Sequence, residues 1–218
     1  WLRKPARFAM VEPKARNEES AAALKRLKKE FEQDNTSPSC ARALGYHAQG
    51  YELVATNGHW ALLEFREIYR RAGLDKAKEQ KYLQVTSKHQ AVKLDNPELH
   101  NALKRAKTCM NPATKIVTLV SLAAGELGVH SSEPDAAEFM ETVSERVAGE
   151  LPAVRPWGVS FNFDYLEPLL GCWALTMHVV DSDSAVIFEP ANKSWRFVLM
   201  PMRGESAAEI RKRFKGVS

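Results

Sequence analysis

The residues of this chain that could carry out chemistry are few and scattered. Asn57 and His59 are two positions apart, and His178 precedes the acidic pair Asp181 and Asp183. A metal site needs ligands at recurring spacings, and a hydrolase needs a nucleophile, a base and a group that orients the base. Neither cluster has such a pattern, so the sequence predicts a protein that is not an enzyme.

The cysteines and glycines give no cofactor signal either. Cys40, Cys109 and Cys172 are far apart and form no CxxC pair. We interpret them as buried thiols in a reducing compartment, rather than as metal ligands or disulfides. The glycines are scattered, and no phosphate-binding GK[ST] string occurs, so no ATP use and no cofactor is predicted.

Composition points to a globular chain with a core. The chain has 218 residues, of which 44% are hydrophobic, and a net charge of +4. Its longest apolar runs, near 117–124 and 172–180, are shorter than the about 20 residues that cross a bilayer. Nothing near Trp1 resembles a secretion signal, so we expect a cytoplasmic location and no membrane partner.

Two segments are typical of amphipathic helices with a basic side. Residues 17–33 carry Leu24 and Leu27 at helical spacing, and Asp95 is a plausible cap for a second helix in which Leu99 and Leu103 recur. The positive side chains between these apolar positions are Lys25, Arg26, Lys28, Lys29, Lys104, Arg105 and Lys107. They fit either a solvated helix surface or contact with phosphates.

The remaining pattern favours strands. Period-two alternation and turn signals predict strands at 41–47, 52–55, 60–65, 82–94, 116–123, 126–130, 137–147, 159–162, 173–180, 185–189 and 196–200, with a short helix at 165–170. A β-α-β-β-β unit therefore recurs about three times. This repetition predicts an α+β protein with antiparallel sheets on one side and helices on the other.

Three short strings carry a family resemblance. Residues 53–59 read LVATNGH, residues 159–166 read VSFNFDYL, and residues 197–203 read FVLMPMR, after a VVDSDSAV segment at 179–186. Together and in this order they resemble the bacterial DNA polymerase sliding clamp, the beta subunit. The strings at 159–203 are similar to its C-terminal domain, and the string at 53–59 to part of its middle domain.

The resemblance implies a fold, a division of the chain and a function. It implies the sliding-clamp fold, with a partial or divergent clamp domain and connector at 1–81, a C-terminal clamp domain at 82–203 and a basic tail at 204–218. The implied function is that of a DNA-binding processivity factor, which tethers polymerase or repair proteins to double-stranded DNA. A clamp loader and a homo-oligomeric ring are implied partners. The alternative is a clamp-fold adaptor that binds proteins and does not encircle DNA.

The resemblance also implies a peptide-binding groove and assigns the basic helices to DNA. The implied groove residues are Thr56, Gly58, His59, Trp60, Val198, Met200, Pro201, Met202 and Arg203. Trp60 stands where the family has an arginine that borders the groove, and Asn57 replaces an aspartate. In the tail, Ile210 and Phe214 fall on one helical face, so this segment is either frayed or folds back into the groove as an internal competitor.

Overall fold

The computed structural model describes residues 21–29, 46–66, 78–94, 97–122, 126–133, 137–144, 156–170, 172 and 175–216. In chain order these form helix α1 (residues 21–29), strands β1 (His47–Ala48), β2 (Tyr51–Thr56), β3 (Trp60–Phe65) and β4 (Gln90–Lys93), helix α2 (Pro97–Ala106), strands β5 (Ile116–Ser121), β6 (Glu126–Glu133), β7 (Ala137–Ser144) and β8 (Gly158–Asn162), helix α3 (Phe163–Leu170), strands β9 (Leu175–Val179), β10 (Val186–Pro190) and β11 (Trp195–Leu199), and helix α4 (Ala207–Gly216). Short 3-10 helices cover Lys81–Leu83 and Lys107–Cys109.

The strands form two antiparallel sheets. The larger sheet has seven strands in the order β1-β2-β3-β11-β10-β9-β4, and the smaller has four in the order β7-β6-β5-β8. Strand β3 pairs with β11, so residues from both predicted domains, 1–81 and 82–203, lie in one continuous sheet. The division at residue 81 stays a prediction.

Helices α1, α2 and α3 cover the inner faces of both sheets. Leu27 of α1, Leu103 of α2 and Leu166 of α3 are buried in one cluster with the inner side chains of both sheets, such as Phe161 and Phe197. The spacing of the apolar residues explains this layer, because one face of each helix is apolar and must be covered. The predicted α+β arrangement is confirmed.

The outer face of the seven-stranded sheet is covered as well. We call residues 78–86 the strap, because they cross this face and bury Leu83 against Leu53, Leu63 and Val198. With helices on one side and the strap on the other, every residue of β11 is buried. A strand covered on both faces reads as a nearly continuous apolar run, as residues 195–199 do.

Helix α4 covers the outer face of the four-stranded sheet. Ile210 and Phe214 pack there on Val120, beside Met140. Two glycines make room for the helix, since a Cβ atom on Gly128 would lie 2.9 Å from the Phe214 ring, and one on Gly158 would lie 2.3 Å from the Cβ of Ala207. Within the described residues 204–216 the tail is therefore neither frayed nor folded into the groove, and both expectations for it are wrong.

Most predicted elements are confirmed, with two corrections. The strand expected at 82–94 is a 3-10 helix followed by a four-residue strand, β4. Cys172 is buried as predicted, whereas Cys109 is only half-buried. Cys40 and most of the strand predicted at 41–47 lie outside the described residues.

Candidate functional site

The turn between β2 and β3 is held by its own side chains. The Asn57 Oδ1 atom accepts hydrogen bonds from the backbone N–H groups of His59, at 3.0 Å, and Trp60, at 3.1 Å. Gly58 has a φ angle of +87°, a region that favours glycine. This arrangement explains the local sequence: an Asx-type acceptor followed by glycine closes a tight turn, and asparagine can fill that role as aspartate would.

A cavity of about 230 Å³ opens beside this turn on the outer face of the seven-stranded sheet. Its lining residues are all uncharged: Tyr46, Leu53, Thr56, Gly58, Trp60, Ala61, Tyr82, Val198 and Met200. Met200 is 40% exposed and Tyr82 is 56% exposed, and both are large apolar side chains at the surface. An uncharged, concave site with exposed apolar residues is suited to an apolar side chain of a ligand.

The cavity brings together residues from two distant sequence motifs. Thr56, Gly58 and Trp60 come from the LVATNGH segment and the residue after it, and Val198 and Met200 come from the MPMR segment. Antiparallel pairing of β3 with β11 places these segments side by side. The structure therefore brings these five predicted groove residues to one cavity.

The other predicted groove residues do not line this cavity. They are His59, Pro201, Met202 and Arg203. The His59 ring stacks at 6.4 Å on Tyr165 of α3, on the helix side of the molecule. Met202 forms an isolated bridge with Ser160 at the edge of β8. Whether these residues contact a bound peptide stays a prediction.

Trp60 belongs mainly to the core. Its side chain is 1% exposed, and its ring stacks on Phe197 with the ring centroids 5.8 Å apart. The sequence left open that it narrows the groove or forms a new apolar wall. Because the indole packs inward with the core cluster, the outer wall is formed instead by Leu53, Ala61 and Val198.

Tyr46 and Tyr82 are lining residues that sequence reasoning missed. Both lie outside the motifs of the family resemblance, and Tyr82 belongs to the strap, where the sequence predicted a strand. Partial burial raises the pKa of the Tyr82 hydroxyl, and the neighbouring Tyr46 raises it further. An available signal was the run KYLQV at 81–85, which places an aromatic residue next to charged and polar ones.

A buried polar network lies on the same outer face. Arg196 Nε donates to Glu189 Oε1 at 2.9 Å, Tyr51 donates to the same oxygen at 2.8 Å, and His178 Nε2 lies 3.5 Å from Glu189 Oε2. Burial alone would raise the pKa of Glu189, but hydrogen bonding to His178 and the charge of Arg196 outweigh burial and hold it at about 2. His178 thus has a structural partner in Glu189, not in the nearby aspartates.

The aspartates considered as a metal site shape a turn. Asp181 Oδ1 accepts the backbone N–H groups of Asp183, at 3.0 Å, and Ser184, at 2.7 Å. Burial opposes ionisation here, yet hydrogen bonds from the Ser184 side chain and from these two N–H groups lower the pKa of Asp181. Within the described ranges no group of three or more His, Cys, Asp or Glu residues could hold a metal ion.

The predicted DNA-binding cations lie on the helix layer, and several have partners in the protein. Lys28 pairs with Glu64 at 3.1 Å, Lys107 with Glu167 at 2.9 Å, and Arg105 pairs with Glu141. Arg26 donates to the Pro168 carbonyl at 2.9 Å, which ties α1 to α3. The exposed lysines of the predicted set are Lys25, Lys29, Lys104 and Lys107, of which Lys107 is the one in the ion pair with Glu167.

Comparisons with solved structures identify the fold. The beta sliding clamp of Caulobacter crescentus aligns with 84% of this chain and 64% of its own, with a TM-score of 0.57 and 17% identity. The DNA polymerase III subunit beta of Pseudomonas aeruginosa aligns with 85% of this chain and 65% of its own, with a TM-score of 0.55 and 20% identity. Another Pseudomonas aeruginosa sliding clamp structure, solved with ligand, covers 71% of this chain and 42% of its own, at a TM-score of 0.49 and 20% identity.

Sequence comparisons give no match. No protein-family model matches the chain, and no curated protein does. No helix in the described part of the chain is long and apolar enough to span a bilayer. This chain spans less than two thirds of the length of the clamps above, and their likeness at 17–20% identity is one of fold. The sliding-clamp resemblance of the three motifs and the α+β architecture predicted from the recurring β-α-β-β-β unit are thus confirmed: this chain has the fold of the bacterial DNA polymerase III beta sliding clamps.

Proposed function

We propose that this chain is a clamp-type tethering protein without enzymatic activity. It binds a short apolar segment of a partner protein in the groove beside the β2–β3 turn while its helix layer lies along double-stranded DNA. The observation that carries the proposal is the convergence of two distant clamp motifs on one uncharged cavity. The partners are a DNA polymerase or repair proteins that carry a clamp-binding motif, and the setting is the cytoplasm.

The cavity defines the chemistry of the bound segment. Its volume of about 230 Å³ suits one large apolar side chain, and its outer wall of Leu53, Ala61 and Val198 offers no charge to pair with. Met200 at the rim is flexible and polarizable, so it can adapt to differing ligands. A peptide of the QLxLF type fits this description, because its apolar residues can fill the cavity.

The helix layer supplies the proposed DNA contact. Lys25 and Lys29 on α1 and Lys104 on α2 are exposed. Contacts with phosphates do not depend on the DNA sequence, so no contacts with the bases are needed. Binding through a few lysines is weak and sensitive to salt. In this proposal a clamp loader and assembly into a homo-oligomeric ring would retain the protein on DNA.

The second candidate function is a clamp-fold adaptor that does not encircle DNA. The ion pairs of the helix layer favour it, because Glu64, Glu141 and Glu167 neutralise cations that would otherwise face phosphates. Lys115 is likewise 2.6 Å from Asp164. Exposed pairs of this kind are worth at most about 1 kcal/mol and can open, so they weaken DNA contact without preventing it.

The groove is tested by replacing one methionine at a time. Met200→Ala removes contact area at the cavity rim, so we expect affinity for a fluorescent QLxLF peptide to fall about tenfold, measured by fluorescence polarisation. Met140→Ala is the matched control, since Met140 packs beside α4 on the outer face of the four-stranded sheet and does not line the cavity. Equal affinities of the two variants and the original protein would remove the groove from this proposal.

A further inference from the structure

The strap is attached to the sheet by specific contacts. His47 bridges to Glu79, and the Gln80 N–H donates to the His47 carbonyl at 3.0 Å. Leu83 of the strap is fully buried against the sheet. The strap is therefore a packed segment with a defined position, and its 3-10 turn places the neighbouring residue, Tyr82, at the cavity.

A single glutamine side chain fixes the far end of the strap. Gln49 Nε2 donates to the Val85 carbonyl at 2.9 Å, and the Val85 N–H donates to Gln49 Oε1 at 3.1 Å. Gln49 has a φ angle of +51°, in the left-handed region, where a non-glycine residue is uncommon. The side chain thus pairs with the backbone of the strap as an extra strand residue would.

Gln49 is itself held by the buried network. Arg196 Nη1 donates to Gln49 Oε1 at 2.7 Å, and the Arg196 guanidinium lies 4.0 Å above the ring of Tyr51. Arg196 is 6% exposed and is paired with Glu189. A continuous chain of contacts therefore runs from the centre of the sheet, through Arg196 and Gln49, to the strap.

The strap holds the side chain of Tyr82 at the cavity. It is 56% exposed, although it is a large aromatic residue on a segment that is otherwise fixed. Exposed tyrosines on ordered segments are typical of binding sites, because they offer a large contact area with little loss of conformational freedom. Tyr46 lines the same cavity, so two aromatic rings lie at its mouth.

We propose that Tyr82 determines the specificity of the groove: it selects peptides whose anchor side chain is aromatic over those with an aliphatic anchor, and Gln49 is the positioning residue that holds it there. This inference rests on the proposed function, since it concerns the same groove. The physical reason is that a phenyl ring gains edge-to-face contact with Tyr82 that a leucine side chain does not. The cavity of about 230 Å³ has room for such a ring.

A comparison of two peptides tests the selection. We expect the protein to bind Gln-Leu-Ser-Leu-Phe about fivefold more tightly than Gln-Leu-Ser-Leu-Leu, a ratio in the range of one aromatic pair. Tyr82→Ala should reduce this ratio to near one, and Tyr82→Phe should keep it. An unchanged ratio in Tyr82→Ala, or equal binding of both peptides by the original protein, overturns the inference but leaves the groove. Absence of binding to either peptide overturns both.

A second measurement tests the positioning role. Gln49→Asn keeps a residue that tolerates the left-handed backbone, but its amide is one methylene too short to reach Val85. We expect faster hydrogen exchange at the Val85 amide. We also expect a lower ratio of the affinity for the phenylalanine peptide to that for the leucine peptide. Gln84→Asn is the matched control on the strap, since the Gln84 side chain donates to the exposed Glu79 and not to the sheet, and it should change neither. If Gln49→Asn unfolds, Gln49→Gly, which tolerates the left-handed backbone and lacks the side-chain oxygen that accepts the Val85 N–H, replaces it. Unchanged exchange and ratio in the folded variant overturn the role of Gln49.

Discussion

At the residue scale, the polar network around Glu189 shows how far a buried ion pair depends on its surroundings. Glu189 and Arg196 are both about 5–6% exposed, on neighbouring strands of the sheet. Taking two charges out of water is costly unless hydrogen bonds complete the pair. Here Tyr51 donates to Glu189, and Gln49 accepts from Arg196, so each charge has a second partner.

This network predicts a loss of stability in acid. The pKa of Glu189 is about 2 in the folded protein, below its usual value of 4.5. A depressed folded-state pKa contributes stability above pH 4.5, and this contribution is lost as the pH falls from about 4.5 to 2. The lowered pKa of Glu189 contributes at most about 3 kcal/mol to the free energy of unfolding at neutral pH.

The measurement is urea unfolding of the original protein and Glu189→Gln between pH 7 and pH 2.5. The original protein should lose more stability than the variant across this range, because glutamine does not titrate. Parallel pH profiles would show that Glu189 is not held ionised by the network. Glu79→Gln, at an exposed position of the strap, serves as a control whose profile should follow that of the original protein.

Part of the groove could be predicted from individual residues of the sequence. Thr56, Gly58, Val198 and Met200 lie in strings whose order matches a known family, and adjacent strand pairing then brings them together. Tyr82 lies outside these strings. The sequence around it also shows no clear periodicity, because the 3-10 helix in the strap has neither the period of an α-helix nor that of a strand. The inward position of Trp60 depends on which face of β3 meets the core, and a short apolar run does not reveal it.

At the element scale, strands and helices with clear periodicity were predicted well. Strand β3 is found at the predicted residues Trp60–Phe65, and α2 is found at Pro97–Ala106, after the predicted cap Asp95, which lies outside the described residues. The failure at 82–94 arose because the strap is rich in β-forming residues but lies across the sheet instead of within it. Tertiary packing there outweighs local propensity.

Helix α4 is the element whose role differs most from the expectation. Its sequence periodicity was correct, but its docking face could not be assigned, since an apolar helix face fits any apolar surface. The deciding features are Gly128 and Gly158, which lie more than 45 positions from the helix and leave space for it on the outer face of the four-stranded sheet. Nothing in the sequence near the helix indicates that glycines so far along the chain leave space for it.

The docking of α4 predicts a coupling between Gly128 and Phe214. Gly128→Ala should cost about 1–3 kcal/mol, because its Cβ would lie within 2.9 Å of the Phe214 ring and 2.8 Å of Val120. Phe214→Ala should cost about 2–4 kcal/mol, at the low end for a phenylalanine because the site is near the surface. In the double variant the cost of the added methyl group should be smaller, since the ring is gone.

Urea unfolding of the four proteins forms the double-mutant cycle. Fully additive costs would mean that Phe214 does not rest on Gly128. Peptide affinity should stay the same in Phe214→Ala at a temperature where the protein is folded, because no residue of 205–216 lines the cavity. Tighter peptide binding in this variant would instead favour self-occlusion by the tail.

At the scale of the whole molecule, the two sides of the sheets have separate roles in the proposed function. The groove lies on the outer face of the larger sheet, and the cations lie on the helix layer over the inner faces of both sheets. The two sides meet at the β2–β3 turn, where Gly58 lines the cavity and His59 stacks on Tyr165 of α3. The sequence predicted the layers through their periodicity, but not the ion pairs, because these join residues 36 to 60 positions apart.

The ion pairs lead to a prediction that separates a DNA clamp from an adaptor. If the helix layer faces DNA, Glu141 and Glu167 both oppose binding, since they neutralise Arg105 and Lys107 and repel phosphates. The double variant Glu141→Gln and Glu167→Gln should then bind duplex DNA more tightly. The slope of the logarithm of the DNA binding constant against the logarithm of the salt concentration should also be steeper by about one to two, because two cations become free to contact phosphates.

The matched control removes an acidic charge on the opposite side of the molecule. Glu209 is exposed on α4, which covers the outer face of the four-stranded sheet, so Glu209→Gln changes the net charge without changing the helix layer. DNA affinity is measured by fluorescence anisotropy on a labelled duplex between 20 and 200 mM salt, with roughly linear log–log behaviour expected. The reverse change, in which Lys25, Lys29 and Lys104 become Gln, should weaken binding and flatten the salt slope. An adaptor would give the same weak DNA affinity in all of these proteins while its peptide affinity stays intact, and that result would exclude the DNA-facing role of the helix layer.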